Sequence, residues 1–459
     1  MDEKIKNFLV QIVGQENFTD NLIDLVSYSY DASEHSHRPL CGVWPATVEH
    51  VSEILKLANR ELIPVIPRGA GTGLSGMAVP AKGGIVLDLS HMNRILRISI
   101  EDRLAVVQPG VVYAALEKAL LPHGFCFPPD PASGKACTLG GNVATNAGGI
   151  KGAKYGTTRD YVLGLQVVLP DGRIMRTGSH TMKSVSGYDL TKLFVGSEGT
   201  LGVITEIILK INPKPSTTST ALATFDDLED AGRAVTEIMK SGILPSVMEI
   251  LGRETLLAIN RNSDLKLPEV DAMLLAETDG YTREETDFQM RKVLEIFRKN
   301  HAKEVKEATT GEEAAELWKA RKSAYAVLAR IKTHFVLEDV TVPMSRVADL
   351  LKGVNAIARK YNLQIAAYGH AGDGNLHPQI LFDGYDPDQV KRTEAAGGEL
   401  FKLAIDLGGT LTGEHGIGLS KAPYMTLEHD PVAMEVMRSL KRMFDPNNIL
   451  NPGKMALDE

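Results

Sequence analysis

The chain has 459 residues, of which 43% are hydrophobic and 24% are charged, a composition that excludes wholesale disorder and, at roughly 100–200 residues per domain, predicts two to four domains. Fifty Lys and Arg residues against 58 Asp and Glu residues give a formal net charge of −8, which argues against nucleic acid as the main partner. Its three cysteines are too few for the four thiolates of an iron–sulfur cluster or for a cysteine-rich zinc site.

The cysteines and the N-terminus together predict the compartment. Cys41, Cys126 and Cys137 are sparse and odd in number, which is typical of a reducing environment. The first residues lack the basic stretch and long apolar core of a secretory signal. No segment approaches the roughly 18 consecutive apolar residues of a membrane helix. We therefore expect a cytoplasmic protein without an integral membrane segment.

The first half of the chain reads as a helical segment followed by a strand-rich region. Apolar residues at helical spacing, Ile5, Phe8, Leu9 and Ile12, predict helix within residues 1–35. Between residues 69 and 202, which hold 22 of the 42 glycines, short apolar runs alternate with turn signals. Strands are predicted at residues 64–66, 84–89, 104–108, 163–169 and 203–209. Glycine lets backbone approach a ligand closely, so this region is expected to surround an extended ligand.

The pattern changes after residue 215. Helices are predicted at residues 229–241, 283–302, 311–331, 347–361 and 389–407. Strand-like pieces alternate with them at residues 246–251, 272–277, 335–342 and 364–369. This order fits an α+β domain with helices on one face of an antiparallel sheet. A last helix is predicted at residues 431–444.

Three glycine-rich segments are candidates for cofactor binding. Gly71, Gly73 and Gly76 satisfy a GxGxxG pattern, but a dinucleotide-binding Rossmann site needs a helix next, and the next predicted element is a strand. A loop of inward-pointing N–H groups can instead form an anion nest, and Arg68 adds a positive charge. Residues 128–149 and 196–204 supply further Asn, Thr and Gly, which suit a polar heterocycle.

Five segments carry a resemblance to a known family: PRGAGTGLSG (67–76), PPDPASGKACTLGGNVATNAGG (128–149), KYG (154–156), GYDLTKLFVGSEGTLGVITE (187–206) and FDPNNILNPGK (444–454). Together they resemble the vanillyl-alcohol oxidase/p-cresol methylhydroxylase FAD superfamily. Within it they are most similar to the branch holding the glycolate oxidase D-subunit, D-lactate dehydrogenase and D-2-hydroxyglutarate dehydrogenase.

The resemblance implies an α+β fold. A two-subdomain FAD-binding domain of the p-cresol methylhydroxylase type is followed by an α+β cap domain with an antiparallel sheet. The boundaries we expect are an N-terminal helical segment at 1–35, the FAD-binding domain at 36–215, a substrate and metal cap domain at 216–430, and a C-terminal segment at 431–459 that returns to the flavin.

The resemblance also implies which residues contact FAD. Residues 68–74 would cradle the pyrophosphate, a second set would line the flavin and ribityl chain, two residues would lie near the adenosine half, and one would return to the isoalloxazine. In that order they are Arg68, Gly69, Ala70, Gly71, Thr72, Gly73 and Leu74; Pro131, Ser133, Gly141, Asn142, Thr145, Asn146, Gly148, Gly149 and Gly156; Glu198 and Ile204; and Asn451. Residues 69–76 contain no His or Cys for covalent attachment, so we expect non-covalent FAD. Cys137 is the one residue that could attach the flavin, and we expect a buried structural role for it.

A histidine hairpin can be argued from the residues themselves. Asp373-Gly374 is a preferred pair for a two-residue turn, and a turn centred there would place His370 directly opposite His377. Opposed Cβ atoms lie about 4.5–5.5 Å apart, from where two imidazoles can bind one metal. Glu414 is the candidate third ligand, leaving an open position on Zn²⁺, Fe²⁺ or Mn²⁺. Solvated or purely structural histidines are the alternative, and the family resemblance implies the metal.

Three further residues complete the predicted site, and two more bear on the length of the substrate. His415 is the candidate general base, since an imidazole pKa of about 6.5 suits proton abstraction at neutral pH. Arg321 matches the family position that binds the substrate carboxylate, with exposed helix charge as the alternative. Asn375 is a plausible contact to substrate or flavin. Tyr325 and Leu337 stand where relatives for longer diacids carry further polar contacts, which favours a short monoacid.

The predicted activity is an FAD-dependent D-2-hydroxyacid dehydrogenase for D-lactate or glycolate. The hydride passes to flavin N5 while His415 removes the hydroxyl proton with help from the metal, and the product is a 2-oxo acid. Because the chain lacks a cysteine set for its own cluster, we expect an external electron acceptor: a quinone, an electron-transfer flavoprotein or an iron–sulfur subunit. Two alternatives remain, a non-redox flavoenzyme resembling alkyl-dihydroxyacetone-phosphate synthase and a non-catalytic flavin-carrying electron-relay subunit.

Overall fold

The computed structural model describes residues 1–458, and the chain divides there into two compact units. The first, the flavin unit, comprises Met1–Gly149, Thr157–Lys214 and residues 414–458. The second, the cap unit, comprises Ile150–Gly156 and Pro215–Gly413. The predicted FAD-binding domain ended at residue 215, next to the observed division. Residues 414–430, which were predicted to be part of the cap domain, group with the flavin unit, and the short segment Ile150–Gly156 groups with the cap unit.

The described residues contain 19 strands, of which the two longest have nine residues each. In chain order they are β1 (Phe18–Thr19), β2 (Cys41–Val43), β3 (Val65–Arg68), β4 (Ile85–Asp88), β5 (Ile95–Ser99), β6 (Leu104–Val107), β7 (Phe125–Cys126), β8 (Val162–Val168), β9 (Ile174–Gly178), β10 (Val203–Lys210), β11 (Asn212–Pro213), β12 (Thr217–Phe225), β13 (Val247–Gly252), β14 (Ala272–Gly280), β15 (Glu304–Glu307), β16 (His334–Leu337), β17 (Val340–Thr341), β18 (Gln364–His370) and β19 (Asn375–Phe382).

The helices follow the predicted pattern most closely in the cap unit. In chain order they are α1 (Glu3–Val13), α2 (Leu22–Ser27), α3 (Val48–Glu61), α4 (Tyr113–Leu120), α5 (Leu139–Thr145), α6 (Gly152–Tyr155), α7 (Leu190–Phe194), α8 (Leu228–Lys240), α9 (Arg253–Asn262), α10 (Arg283–Lys299), α11 (Gly311–Leu328), α12 (Val347–Tyr361), α13 (Pro387–Asp406), α14 (Met425–Glu428) and α15 (Pro431–Phe444). Among residues 1–458, no helix combines the length and the apolar character needed to cross a membrane.

Polar caps explain where several helices begin. The side chains of Thr47, Asp227, Thr282 and Thr310 each accept a hydrogen bond from a backbone N–H in the first turn of α3, α8, α10 and α11. Asp430 caps α15 in the same way, and proline follows it at the first helical position, where the missing N–H costs nothing. The starts of α8, α10, α11 and α15 lie within one residue of their predicted positions, whereas α3 was not predicted.

The flavin unit contains two main sheets, each with its own apolar core. One has four strands in the order β1-β2-β4-β3, and the other has five in the order β5-β6-β10-β8-β9. In the first sheet β3 and β2 pair parallel to β4, whereas the second sheet is antiparallel. The two cores are built on α1 and α3 and on α4 and α5 respectively. This division matches a two-subdomain FAD-binding domain.

The cap unit is built on one antiparallel sheet in the order β15-β12-β14-β13-β18-β19-β16, with β17 also pairing with β19. Helices cover both of its faces, so the prediction of helices on one face was wrong. Residues of α9 and α11 pack with Leu251, Leu275 and Tyr368 in one cluster, while Phe297 of α10 packs edge-on against Phe225 on the other face. The central strands are buried throughout, which explains why they read as continuous apolar runs.

Candidate functional site

The connection between β3 and β4 is a glycine-rich loop rather than a helix. No helix occurs in residues 69–84, and the two strands are parallel neighbours, which agrees with the prediction that this GxGxxG is not a Rossmann site. Arg68, at the end of β3, is buried and organises the loop: its guanidinium donates to the carbonyls of Tyr30 at 2.9 Å and Ala78 at 3.3 Å. A Cβ at Gly71 would lie 2.1 Å from Arg68 Nη2, so any larger residue there would displace the guanidinium.

This loop borders a large cleft within the flavin unit, with about 1290 Å³ of empty space including the part open to solvent. Backbone and small side chains form most of its wall. Of the residues predicted to contact FAD, those lining the cleft are Arg68, Gly69, Ala70, Gly71, Thr72, Gly73, Leu74, Pro131, Ser133, Gly141, Asn142, Thr145, Gly148, Glu198 and Ile204. The cleft also includes residues that the sequence reasoning did not single out, among them Pro67, Met77, Thr138, Ala144, Gly199 and Gly202.

The chemistry of the cleft fits a large polar cofactor. Asn142 is 4% exposed, and its amide Nδ2 has no hydrogen-bond partner among the described residues. A buried donor of this kind is costly unless a ligand accepts from it. Glycines bring backbone to the cleft wall: a Cβ at Gly69 would lie 2.2 Å from Thr138 Oγ1, and one at Gly148 would lie 2.9 Å from Glu414 Oε2. Both features suit FAD, whose phosphates and rings need N–H donors and close backbone approach.

Four predicted FAD contacts do not line the cleft. Asn146 ends α5 in a left-handed conformation, and its Oδ1 accepts from Thr157 Oγ1 at 3.0 Å. Gly149 lies where a Cβ would meet the carbonyl oxygen of Asp130 at 2.0 Å. Gly156 belongs to the cap unit. Asn451 Nδ2 donates to the carbonyls of Met77 and Glu198 at 2.9 and 2.7 Å, so it ties the C-terminal segment to the loops of the cleft.

Glu198 fixes the turn that follows His415. Its two carboxylate oxygens accept from the backbone N–H groups of Ile417 and Gly418 at 2.7 and 2.8 Å. Ser75 Oγ donates to the carbonyls of His415 and Gly416 at 3.2 and 3.0 Å. Burial raises the pKa of Glu198 to about 7, although these two N–H groups and nearby lysines oppose the shift. Glu414 and His415 are thereby held at the wall of the cleft.

Cys137 also lines the cleft and is 4% exposed. It packs in the apolar core of the five-stranded sheet beside Tyr113, Leu139 and Val143. Burial raises the pKa of its thiol, and the thiolate is the form that reacts. The environment therefore favours the structural role that the sequence predicted for it.

In the cap unit, the predicted histidine hairpin exists with a different register. Strands β18 and β19 pair Tyr368 with His377 and His370 with Asn375, so His370 is not directly opposite His377. Four residues, 371–374, form the turn, and Gly374 N donates to the carbonyl of His370 at 3.0 Å. The prediction of a two-residue turn was therefore wrong; the carbonyl of Gly374, the last residue of the turn, accepts from the amide of Val342, just beyond β17, at 3.1 Å.

The two imidazoles nevertheless converge. Tyr368 and His370 point to the same face of the sheet, which makes His370 and His377 diagonal neighbours. Their Nε2 atoms are 3.4 Å apart, and both side chains are buried. His370 Nδ1 donates to Glu249 Oε1 at 2.5 Å, and His377 Nδ1 lies 3.6 Å from Asp339 Oδ1. The two Nε2 atoms thus face each other, and each Nδ1 lies next to a carboxylate. Metal-binding histidines are typically arranged in this way, with the carboxylate orienting the ring.

Arg321 and Asn375 belong to the same cluster of the cap unit. Arg321 Nε donates to Glu249 Oε2, and its guanidinium lies 4.9 Å above the ring of Tyr368. Its side chain is 15% exposed. The alternative of an exposed surface charge on the helix is therefore wrong. Asn375 is buried and accepts from Thr341 Oγ1 at 3.1 Å. Burial alone would raise the pKa of Glu249, but Arg321 and His370 hold it below its usual range.

Glu414 and His415, the other predicted site residues, begin the last part of the flavin unit. The residue before them, Gly413, ends the cap unit, and its N–H donates to Asp339 Oδ2 at 2.9 Å. Thr412 Oγ1 donates to the same oxygen at 2.6 Å. The carboxylate that lies beside His377 therefore also anchors the chain immediately before Glu414.

Sequence reasoning missed two carboxylates of this cluster, Glu249 and Asp339. Each had a signal. Glu249 is the single charge in the apolar strand β13, and Asp339 follows Glu338 in a predicted strand, 335–342, that the structure breaks into β16 and β17. Both side chains are fully buried, and buried carboxylates need partners.

Comparison with known protein families gives two matches that cover most of the chain. The family described as FAD binding domain matches residues 39–178, and the family described as FAD linked oxidases, C-terminal domain, matches residues 214–455.

Among curated proteins, a glycolate oxidase subunit GlcD from Bacillus subtilis is 46% identical, covering 98% of this chain and 96% of that protein. A GlcD subunit from Escherichia coli K12 is 39% identical, covering 94% and 86%. A mitochondrial D-lactate dehydrogenase [cytochrome] from Arabidopsis thaliana is 37% identical, covering 90% and 72%.

Among solved structures, substrate-bound p-cresol methylhydroxylase aligns with a TM-score of 0.84 at 20% identity, covering 99% of this chain and 97% of that chain. Alkyldihydroxyacetonephosphate synthase aligns with a TM-score of 0.75 at 20% identity, covering 98% and 85%. These likenesses confirm the predicted fold class, a p-cresol methylhydroxylase-type FAD-binding domain with an α+β cap domain.

Proposed function

This chain belongs to the FAD-linked oxidase family and is an FAD-dependent oxidoreductase, and we propose that its substrate is a small 2-hydroxy acid, D-lactate or glycolate, which it oxidises to the 2-oxo acid. Family membership confirms the resemblance drawn from the glycine-rich segments. The substrate class is supported by the names of relatives that match over nearly the full length, glycolate oxidase subunits and D-lactate dehydrogenases.

One observation in the cap unit carries the proposal. One buried carboxylate, Glu249, accepts hydrogen bonds from the guanidinium of Arg321 and the imidazole of His370. The imidazole of His377 faces that of His370. A 2-hydroxy acid offers a carboxylate, which suits a guanidinium, and a hydroxyl, which suits a metal held by imidazoles. We propose that His370, His377 and Glu414 hold a divalent metal, Zn²⁺, Fe²⁺ or Mn²⁺, and that Arg321 binds the carboxylate.

The chain's own residues supply binding and proton transfer. FAD, which we propose binds non-covalently in the cleft, would supply the two-electron acceptor, at flavin N5, for the hydride that leaves the α-carbon. The divalent metal would supply a Lewis acid that lowers the pKa of the substrate hydroxyl. His415 accepts the hydroxyl proton on an imidazole nitrogen. The hydrogen bonds of Glu198 and Ser75 to the adjacent turn fix the backbone position of His415. Asn375 contributes a polar contact near the histidines.

We propose that the electrons then leave the chain. Cys41 and Cys137 are buried and Cys126 is partly buried, and three cysteines cannot hold an iron–sulfur cluster. The acceptor is therefore a quinone, an electron-transfer flavoprotein or an iron–sulfur subunit, and we propose that the enzyme acts in the cytoplasm.

The experiment is steady-state oxidation of D-lactate and glycolate with an artificial dye as electron acceptor. Arg321→Ala should raise KM far more than it lowers kcat, and His415→Ala should lower kcat, by about 10²–10⁴-fold for the loss of a general base. The matched controls are Arg330→Ala, at an exposed arginine just after the same helix, and His123→Ala, at an exposed histidine of the flavin unit. If Arg321→Ala or His415→Ala turns over like its control, that residue's proposed role is wrong.

A further inference from the structure

Glu249 occupies an unusual place for a charged side chain. It lies in β13, between β14 and β18 near the middle of the cap sheet, in a strand that is otherwise apolar. Its side chain is fully buried. Burying a carboxylate costs several kcal/mol unless charged partners and hydrogen bonds compensate it. Packing alone therefore does not account for a glutamate at this position.

Each oxygen of Glu249 serves a different residue of the proposed site. Oε2 accepts from Arg321 Nε, which approaches from helix α11 above the sheet. Oε1 accepts from His370 Nδ1 at 2.5 Å, across the strand pair in which Glu249 and His370 are directly opposed. Both oxygens of the one side chain are therefore engaged, one by each partner.

We propose that Glu249 is a positioning residue that couples metal binding to substrate binding, by orienting a metal-binding imidazole and the carboxylate-binding guanidinium with one buried carboxylate. This inference rests on the proposed function. Its bond to Nδ1 fixes the tautomer of His370, so that Nε2 carries the lone pair that faces His377 Nε2 at 3.4 Å. Its bond to Nε fixes the orientation of the planar Arg321 guanidinium, the group that we propose binds the substrate carboxylate.

A neutral isostere cannot perform both tasks. In Glu249→Gln one oxygen becomes an amide nitrogen, which is a donor and cannot accept from Arg321 or His370. Glu249→Asp keeps the charge but is one methylene shorter, so it can reach only one of the two partners. The two variants therefore separate the charge of Glu249 from its reach.

The matched control is Glu277→Gln. Glu277 lies on the neighbouring strand β14 and is also largely buried, and it accepts from Trp318 Nε1 at 3.4 Å and from Thr220 Oγ1 at 3.3 Å. Trp318 is on the same helix as Arg321. This substitution removes a comparable carboxylate under the same helix without touching His370 or Arg321.

The test combines Zn²⁺ titration with kinetics on the FAD-loaded full chain. The apparent dissociation constant for Zn²⁺ is measured by competition with a chromogenic chelator in the absence of substrate, and KM and kcat for D-lactate are measured with a dye acceptor. We expect Glu249→Gln to weaken Zn²⁺ binding by about 10–100-fold and to raise KM, with FAD content unchanged. Glu277→Gln should leave the Zn²⁺ constant at the wild-type value.

The outcomes are decisive in either direction. Wild-type Zn²⁺ affinity or wild-type KM in Glu249→Gln would overturn the coupling. If that variant fails to take up FAD, Glu249→Asp decides: one of the two constants should remain near the wild-type value and the other should change, whereas two unchanged constants would overturn the inference. If the wild type binds Zn²⁺ but oxidises no 2-hydroxy acid, the proposed function fails, and the Zn²⁺ titration still shows whether Glu249 positions His370.

Discussion

Replacing Gly71 by alanine adds one methyl group to the wall of the cleft and tests whether the Arg68 guanidinium holds the glycine-rich loop in place. Gly71 has φ +66°, in the left-handed region, and a Cβ there would lie 2.1 Å from Arg68 Nη2 and 2.6 Å from its Cζ. The Arg68 guanidinium cannot move aside freely, because it donates to the carbonyls of Tyr30 and Ala78 and lies 5.6 Å above the ring of Tyr28. We expect Gly71→Ala to displace this loop, which we propose faces the FAD phosphates.

The magnitude follows from two costs. Alanine in the left-handed region costs about 1–2 kcal/mol, and loss of one hydrogen bond from a charged group costs about 1.5–3 kcal/mol more. Gly83→Ala is a control for the first cost alone: Gly83 belongs to the same connection, has φ +68°, and a Cβ there meets nothing within 4 Å. Since about 1.4 kcal/mol is tenfold in an equilibrium constant, Gly71→Ala should bind FAD roughly 10- to 150-fold more weakly than Gly83→Ala.

The assay is titration of FAD-depleted protein with FAD, followed by the quenching of flavin fluorescence. Both variants are compared with the wild type at the same protein concentration, and circular dichroism checks that the strands remain. Equal FAD dissociation constants for Gly71→Ala and Gly83→Ala would refute the reasoning, because the contact with Arg68 would then carry no weight.

Three further predictions concern charge, covalent attachment and metal. Burial raises the pKa of Glu198 from 4.5 to about 7, so the folded chain holds this proton more tightly than the unfolded chain. The protonated carboxyl contributes fully to the free energy of unfolding below pH 4.5, and this contribution, about 3 kcal/mol, is lost as the pH rises through about 7. Urea unfolding across that pH range should show the loss in the wild type but not in Glu198→Gln. The same pH dependence in both proteins would contradict the prediction. Acid precipitation should release the flavin from the wild type and from Cys137→Ser alike, whereas flavin retained only by the wild type would reveal a covalent bond. Removing metal with a chelator should abolish turnover without loss of FAD, and adding Zn²⁺ or Mn²⁺ back should restore it; full activity after chelation would exclude a catalytic metal.

Local patterns made much of the fold predictable from the sequence. The bounds of α12 and α15 agree with their predicted ranges, because amphipathic periodicity and clear end signals coincide there. Strand β12 escaped prediction because its sequence, TTSTALATF, contains four threonines but no valine or isoleucine, and so does not read as an apolar run. Helix α9 escaped because it starts at Arg253, directly after the last residue of β13, with no turn signal between them.

For the candidate site, the sequence predicted which residues come close together but not the tertiary contacts between strands. The proximity of His370 and His377 could be predicted from their spacing about Asp373-Gly374, but the strand register could not, and the two histidines are diagonal neighbours instead of an opposed pair. The density of glycine located the loops that line the cleft. Glu249 and Asp339 reach the histidines from β13 and from the break between β16 and β17, and sequence spacing does not reveal such pairings across a sheet.

The most direct test of the central claim is anaerobic mixing of the FAD-loaded protein with single 2-hydroxy acids while the flavin spectrum is recorded. The proposed function predicts that D-lactate or glycolate removes the absorbance of the oxidised flavin stoichiometrically and yields the 2-oxo acid, and that L-lactate does so far more slowly. A flavin that stays oxidised with every 2-hydroxy acid, in protein that holds both FAD and metal, would contradict it.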